Sequence, residues 1–193
     1  MPIAIFGGTF DPIHIAHLKV AREAADAFAL DRVLFIPAGN PPHKPGQTTE
    51  SFEHRYRMVE LACAEDPRFE PSRIEEGPGP SYSILTIEKL RARDPEPYFL
   101  IGADAFAEID KWKRWREVVA QVRFIVVTRP GHEYTVPEGA RVERLDTVLL
   151  PDSSSEIRRK LAAGEMPADL PPAVARYIAA HGLYQWPAMA HAR

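Results

Sequence analysis

GGTFDPIHIAH, residues 7–17, lies between an apolar run and a segment with helical spacing. The run before it, PIAIF at residues 2–6, is short and apolar, which is typical of a strand buried on both faces. The segment after it, Leu18–Leu30, places its apolar residues at helical intervals. A strand, a turn that contains glycine and then a helix are the opening of a βαβ unit, so the sequence predicts an α/β fold.

Four residues of this stretch point to phosphate binding. Gly7 and Gly8 let the backbone approach a ligand closely. His14 and His17, three residues apart, face the same way at the start of a helix, where N–H groups and the helix dipole favour an anion. Either feature alone is more often structural, but the combination favours a phosphate site. The pattern is neither the Gly-x-Gly-x-x-Gly dinucleotide fingerprint nor a P-loop, since no Gly-Lys-Ser/Thr follows.

Composition limits the classes of protein to consider. The 193 residues are 45% hydrophobic, which suits one α/β domain with a filled core. We expect residues 1–187 to form that domain and residues 188–193 to form a flexible tail. A net charge of −3 gives no electrostatic footprint for nucleic acid or for a membrane surface, and neither is expected as a partner. The sequence leaves the oligomeric state open.

The single cysteine, Cys63, cannot form an internal disulfide and fits a reducing compartment. It lies in the apolar helical segment 58–64, which predicts a buried structural thiol rather than a nucleophile. We find no basic segment followed by an apolar run at the N-terminus and no apolar run of transmembrane length. These features together predict a cytoplasmic protein.

Strands and helices alternate along the chain, which predicts a doubly wound, mainly parallel sheet with helices on both faces. The predicted strands are residues 2–6, 32–36, 69–75, 97–101, 122–128 and 141–150. The predicted helices are residues 18–30, 51–65, 81–93, 153–163 and 172–181, with a further helical stretch after residue 104. Ligands of such sheets bind beyond the carboxyl ends of the strands. The informative residues mostly follow strands, which places a candidate site at that edge.

The first motif resembles the signature of the nucleotidyltransferase superfamily, which ends His/Thr-x-Gly-His; Ala16 stands in place of the glycine. Its GGTFDPIH form is similar to bacterial nicotinate mononucleotide adenylyltransferases. The resemblance runs from Ile5 to Tyr184, and the matching residues near Tyr184 are interpreted as mainly structural. It implies a Rossmann-like nucleotidyltransferase fold and adenylyl transfer from ATP to nicotinate mononucleotide, giving deamido-NAD and pyrophosphate in NAD biosynthesis.

Two further segments resemble phosphate-binding motifs of these enzymes. PPHK, residues 41–44, fits either an exposed turn or a cation presented to phosphate from a loop stiffened by prolines. SSSEIR, residues 153–158, begins with a capping box, a structural signature, and its arginine can face an anion. Asp152 replaces the isoleucine of the motif. The resemblance implies that the catalytic residues are His14, His17, Lys44 and Arg158. It implies that ATP is bound by Gly7, Gly8, Thr9, Phe10, His14, His17, Ser154 and Arg158.

A third resemblance concerns the nicotinate pocket. It implies that Trp112 stacks on the pyridine ring, while the Ser83 hydroxyl and the Lys113 backbone N–H hold the carboxylate. Ser83 stands where the family usually has threonine. Trp112 and Trp115 at helical spacing also fit packing, but the charged neighbours of Trp112 favour a loop near the ligand. The implied substrate-binding residues are Lys44, Ser83, Gly102, Asp104, Trp112 and Lys113.

Mg²⁺ is expected to arrive with ATP, because the sequence shows no carboxylate cluster that would make a dedicated protein site. Three alternatives stay open. A phosphopantetheine adenylyltransferase shares the first motif but not the PPHK segment or the tryptophan pocket. Class I aminoacyl-tRNA synthetases share the paired histidines but are much longer and need an RNA-binding surface. A nucleotide sensor without turnover predicts the loss of a phosphate-binding residue, whereas His14, His17, Lys44 and Arg158 are all present.

Overall fold

The computed structural model describes residues 2–41, 48–128, 131–147 and 153–187. Lys44, Asp152 and the predicted tail at 188–193 therefore lie outside the described residues. The strands are β1 (Ile3–Gly8), β2 (Arg32–Pro37), β3 (Phe69–Pro71), β4 (Tyr98–Gly102), β5 (Arg123–Thr128) and β6 (Arg141–Asp146). The helices are α1 (Ile15–Ala27), α2 (Phe52–Cys63), α3 (Ser83–Leu90), α4 (Ala103–Ala107), α5 (Trp115–Gln121), α6 (Ser154–Ala162) and α7 (Pro172–His181). Two short 3-10 helices span Ile109–Lys111 and Leu183–Gln185.

The six strands form one sheet in the order β3-β2-β1-β4-β5-β6, and every pair in it is parallel. The prediction of a doubly wound α/β fold is confirmed. β1 is hydrogen-bonded on both sides, with Ile5 opposite Leu34 of β2 and Phe99 of β4. The strand order reverses between β1 and β4. Since ligands of such sheets bind at that reversal, the turn after β1 lies at the expected site.

The strands β1, β2, β4 and β5 contribute to two hydrophobic cores, because successive side chains point to opposite faces of a sheet. In β1, Ala4 packs with α1, α2, α6 and α7, whereas Ile3 and Ile5 pack with α3, α4 and α5. Val33 and Phe35 of β2 face the first of these cores, and Leu34 and Ile36 face the second. Burial on both faces explains why β1 and β2 are almost uniformly apolar. Among the described helices, none combines the length and apolar composition that a bilayer crossing needs.

Two helices start elsewhere than predicted. α1 begins at Ile15 instead of Leu18, because His14 occupies the N-cap position, where Ser, Thr, Asp and Asn are the usual residues. α3 begins at Ser83 instead of Ser81, because the Ser81 hydroxyl does not cap the helix. It accepts a hydrogen bond from the backbone N–H of Asn40 at 3.0 Å.

The predicted helical stretch after residue 104 is interrupted. The 3-10 helix ends at Lys111, and Arg114, the residue before α5, has a left-handed conformation with φ 53° and ψ 41°. The residues between the 3-10 helix and α5 therefore form a loop, and Trp112 lies on it. Two strands are also shorter than expected: β3 ends at Pro71, and β6 ends at Asp146, beyond which residues 148–152 are not described.

Gly39 allows the chain after β2 to approach the segment that precedes α3. A Cβ atom at Gly39 would lie 2.0 Å from the backbone oxygen of Glu75. The neighbouring Asn40 and Ser81 exchange hydrogen bonds, with the Ser81 N–H donating to the Asn40 oxygen at 2.9 Å. Only glycine fits at this close contact, which brings residues 75–83 against the carboxyl end of β2.

We expect Gly39→Ala to lower the free energy of unfolding by about 1–3 kcal/mol, since a backbone atom cannot rotate away from the added methyl group. Urea unfolding measures the change. Gly79→Ala is the matched control, because a Cβ at Gly79, in the same facing segment, meets nothing within 4 Å. Equal stability of the two variants would contradict the close contact.

Candidate functional site

A cavity of about 350 Å³ lies at the carboxyl ends of β1 and β4, where the strand order reverses. Gly7, Gly8 and Thr9 line it from the β1 side, and Ile101 and Gly102 line it from β4. A Cβ at Gly7 would meet nothing within 4 Å, so the backbone here faces open space. The cavity is the place where a ligand can reach the backbone of the first motif.

The residues predicted for the nicotinate pocket meet in the same cavity. Ser83, Trp112 and Lys113 all line it. The half-buried Trp112 packs edge-on against Phe99, with 5.7 Å between ring centroids. The ammonium group of Lys113 lies 5.9 Å from the centre of the Tyr82 ring. An aromatic face, a hydroxyl and a positive charge therefore surround one end of the cavity.

Arg114 fixes the loop that carries Trp112 to the helix that carries Ser83. Its guanidinium donates to Glu88 of α3 at 2.8 Å and to Glu117 of α5 at 2.7 Å. These side chains are exposed, so the ion pairs contribute little to global stability. Their effect is local, because they fix the position of the Trp112 loop relative to α3, and both of these line the pocket.

Glu75 is a wall residue that the sequence did not single out. It lines the cavity, and its carboxylate accepts a hydrogen bond from the buried Thr86 hydroxyl at 2.6 Å. Burial raises the pKa of Glu75, whereas its hydrogen bonds from Thr86 and Ser81 lower it. Because Ser81 and Thr86 flank Ser83, Glu75 ties the first turn of α3 to the pocket wall. A glutamate before a Gly/Pro-rich segment gives no pattern that would reveal this role.

The two histidines are adjacent at the start of α1. Their ring centroids are 3.9 Å apart, and the His14 backbone N–H donates to Nδ1 of His17 at 3.2 Å. A ring nitrogen that accepts a hydrogen bond carries no proton, so Nε2 of His17 bears the proton of the neutral ring. Burial and the neighbouring His14 charge hold the pKa of His17 well below its ordinary value. The site thus presents a neutral imidazole with an N–H donor.

Phe10, predicted to contact ATP, is 2% exposed, with its ring in the core. It packs edge-on against His17 at 5.1 Å and against Phe6 at 5.6 Å. A Cβ at Gly8 would lie 3.1 Å from the Phe10 ring, so glycine at that position makes room for this packing. The Phe10 ring therefore supports His17. The His17 ring thus rests on an aromatic cluster that includes Phe6 and Phe10.

α6 is docked on the first motif through the two ligand-binding residues predicted in it. The Ser154 hydroxyl donates to the Pro12 carbonyl oxygen at 3.1 Å. Arg158 donates from Nη1 to the Asp11 carbonyl oxygen at 2.8 Å and from Nη2 to the Ser155 hydroxyl at 3.2 Å. The structure thus brings Ser154 and Arg158 to the turn that carries His14 and His17.

The remaining predicted residues are less tightly placed. Asp104 is exposed in the first turn of α4, between Gly102 and Ala105, which both line the cavity. Lys44 lies outside the described residues. Within the described ranges, no group of three or more His, Cys, Asp and Glu side chains is arranged to hold a metal ion.

Arg55 is a buried residue near the site whose place in the sequence indicates a structural role. Arg55 is 1% exposed, although arginine is almost never fully buried unless it is paired. It lies at helical spacing from Met58, Val59 and Ala62, which form the buried face of α2. A lone arginine on an apolar helix face predicts a buried polar partner, and that partner belongs to the first motif.

The depressed pKa of His17 predicts a pH dependence of stability. The unfolded chain binds a proton on this histidine more readily than the folded protein does. The contribution of His17 to the free energy of unfolding is therefore fully present above the unfolded pKa and is lost as pH falls from there toward the folded pKa. We expect the free energy of unfolding of the wild type to fall more than that of His17→Asn between about pH 7.5 and about pH 5.5. Urea unfolding at both values measures this. His132→Asn, at an exposed position, should follow the wild type; equal slopes for wild type and His17→Asn would refute a buried neutral imidazole.

Comparisons with known proteins agree with this arrangement. The cytidylyltransferase-like family matches residues 5–160. A relative from Solibacter usitatus, named probable nicotinate-nucleotide adenylyltransferase, is 60% identical over 187 residues, covering 95% of this chain and 100% of its own length. A relative of the same name from Thermus thermophilus is 43% identical over 96% of this chain and 100% of its own length.

The fold agrees as well. The nicotinic acid mononucleotide adenylyltransferase of Plasmodium falciparum, solved in complex with NaAD, matches with a TM-score of 0.76 over 96% of this chain and 98% of that chain, at 21% identity. That likeness concerns the fold, whereas the identity to the bacterial relatives concerns the family. The chain therefore belongs to the nicotinate-nucleotide adenylyltransferases, within the cytidylyltransferase-like family.

Proposed function

We propose that this protein joins ATP and nicotinate mononucleotide to give deamido-NAD and pyrophosphate, a step of NAD biosynthesis. The observation that carries the proposal is the cavity at the strand reversal, which residues of two predicted binding motifs line. One end presents the backbone of Gly7, Gly8 and Thr9, from which the chain continues to the paired histidines at the start of α1, and this suits phosphate. The other end presents Trp112 with Ser83, which suits a flat ring that carries a carboxylate. The relatives at 43–60% identity bear the matching name.

In this reaction a phosphate oxygen of nicotinate mononucleotide attacks the α-phosphorus of ATP in line. A new P–O bond forms, the bond between the α-phosphorus and the bridging oxygen breaks, and pyrophosphate leaves. No protein nucleophile is required, so catalysis rests on positioning and on stabilising charge. The neutral His17 ring carries its proton on Nε2. It can therefore donate a hydrogen bond to phosphate without carrying a positive charge. His14 and Arg158 lie around the same turn, and the family resemblance adds Lys44.

The acceptor end of the cavity suits an acid better than an amide. Trp112 stacks on the pyridine ring, and the Ser83 hydroxyl and the Lys113 backbone N–H donate hydrogen bonds to the carboxylate. An amide would turn an NH₂ group toward one of these donors and leave a buried polar group unpaired. Gly102 lies at the end of β4 and Asp104 at the start of α4, and both bind the ribose of the substrate in this proposal.

A divalent cation would enter this site bound to the phosphates of ATP. Mg²⁺ binds mainly phosphate oxygens and keeps several waters, so it asks for few protein ligands. When bound, it neutralises charge on the triphosphate. We further propose one domain over residues 1–187 and a cytoplasmic location, where ATP and a reduced Cys63 thiol are both expected; Cys63 is buried.

Pyrophosphate release from ATP across a panel of acceptors tests the proposed function. We expect nicotinate mononucleotide to exceed nicotinamide mononucleotide by roughly tenfold to several hundredfold in kcat/KM, because the amide leaves a charge-assisted hydrogen bond unmet. Phosphopantetheine should be inactive. Equal use of acid and amide would refute the assignment of the pocket, and preference for phosphopantetheine would refute the reaction itself.

Trp112→Ala separates stacking on the acceptor from packing. We expect KM for nicotinate mononucleotide to rise at least about fivefold, KM for ATP to stay within about twofold, and the stability loss to stay below the roughly 3–5 kcal/mol of a core Trp→Ala change. Two-substrate kinetics and thermal melts measure these. Trp115→Ala is the matched control, since Trp115 is half-buried on α5 and does not line the cavity. A stability loss of core size with unchanged KM would assign Trp112 to packing.

A further inference from the structure

Asp11 is a buried carboxylate of the first motif that accepts three hydrogen bonds from two distant parts of the chain. It is 4% exposed. Its oxygens accept from the N–H groups of Thr49 at 2.6 Å and Glu50 at 3.3 Å, and from the hydroxyl of Tyr184 at 2.8 Å. A carboxylate this deeply buried is tolerated because its charge is hydrogen-bonded. The contacts join the turn after β1 to the residues before α2 and to the chain after α7.

Arg55 lies against the same turn. Its Nη1 donates to the Thr9 carbonyl oxygen at 2.7 Å, and its Nε donates to the Glu50 carbonyl oxygen at 3.2 Å. Burial lowers the pKa of Arg55, and the negative charge of Asp11 opposes that shift. The guanidinium therefore holds the backbone of residues 9 and 50 while its charge balances that of Asp11.

Tyr184 closes the network from the far end of the sequence. Its backbone is left-handed, with φ 55° and ψ 36°, and its N–H donates to the Glu50 carboxylate at 2.8 Å. Burial and the adjacent Asp11 charge raise the pKa of Tyr184, so its hydroxyl stays protonated and remains a donor. The left-handed conformation costs free energy. Hydrogen bonds from the Tyr184 N–H and O–H to two acidic side chains hold the residue in place despite that cost.

Asp11 also has a main-chain role, because its carbonyl oxygen accepts the hydrogen bond from Nη1 of Arg158. Tyr184 thus fixes the Asp11 carboxylate, and the Asp11 carbonyl orients Arg158, the arginine proposed to bind the triphosphate. That contact and the one to Ser155 use two of the five guanidinium N–H groups in described hydrogen bonds.

We infer that Tyr184 and Arg55 are positioning residues for adenylyl transfer, acting through Asp11 to set the orientation of Arg158. The inference rests on the proposed function, in which Arg158 binds the triphosphate. Tyr184 and Arg55 are buried and do not line the cavity. Tyr184 holds the Asp11 side chain, Arg55 holds the adjacent backbone at Thr9, and together they keep the Asp11 carbonyl in place for the guanidinium.

The test is a double-mutant cycle between Tyr184→Phe and Arg158→Lys. Tyr184→Phe keeps the buried ring and removes only the hydroxyl. We expect it to lower kcat about threefold to tenfold, the range of one net hydrogen bond, with KM for nicotinate mononucleotide unchanged. In the Arg158→Lys background the guanidinium contact with the Asp11 carbonyl is gone, so Tyr184→Phe should cause no further loss of kcat.

A role confined to stability gives a different result, namely a lower melting temperature with unchanged kcat, or losses in kcat that multiply in the double variant. Either overturns the inference. Tyr177→Phe is the matched control, since the Tyr177 hydroxyl hydrogen-bonds the ring of His54 on α2 at 3.0 Å and is not among the described partners of Asp11; its kcat should equal that of the wild type.

The experiment also separates this inference from the proposed function. Full activity of both Arg158→Lys and Arg158→Ala would remove Arg158 from the phosphate site and the inference with it, while the acceptor panel judges the reaction independently. Impaired Arg158 variants combined with a fully active Tyr184→Phe would leave the reaction standing and refute the positioning role. Arg55→Lys, which keeps the charge but not the two-directional guanidinium, should reproduce the kcat loss of Tyr184→Phe.

Discussion

The pairing of β1 on both of its edges is the constraint on which the site depends. Because β2 and β4 hydrogen-bond to opposite sides of β1, the chain must leave the sheet at Gly8, at the one point where the strand order reverses. The groups that can bind a ligand then come from the turns that converge there. Burial on both faces drives this pairing, since the side chains of β1 alternate between two apolar cores.

The features predicted from sequence are those set by local pattern. Apolar strands, helical spacing and the GGTFDPIH motif sufficed for the fold and for the position of the cavity. Ser83 and Trp112 line that cavity, whereas Ser154 and Arg158 dock on the turn of the first motif. The start of α1 was missed because a histidine caps it. The contacts of Asp11 and Tyr184 were missed because they link segments far apart in the chain, and such pairings leave no periodic trace. The role of Glu75 was missed because the loop between β3 and α3 has no regular spacing that marks its carboxylate.

The two ends of the cavity are held in physically different ways. The acceptor end depends on exposed ion pairs of Arg114 with Glu88 and Glu117, which salt screens and which allow small movements. The phosphate end rests on hydrogen bonds to the buried Asp11 and Arg55, which ions in solution hardly reach. The proposed ring-binding part of the site is thus held by contacts that salt weakens, and the proposed phosphate-binding part by contacts that salt hardly affects.

The hydrogen bond between Tyr184 and Asp11 joins residues separated by 173 positions, and this separation has a consequence for synthesis of the chain. At about 5–20 residues per second, roughly 9–35 s pass between the translation of the two residues. The turn after β1 can form early, but its carboxylate has no tyrosine partner until the end of the chain arrives. A nascent chain would therefore carry the nucleotide-binding motif in an unfinished form, and the assembled site would come into being only after α7 has packed onto α2.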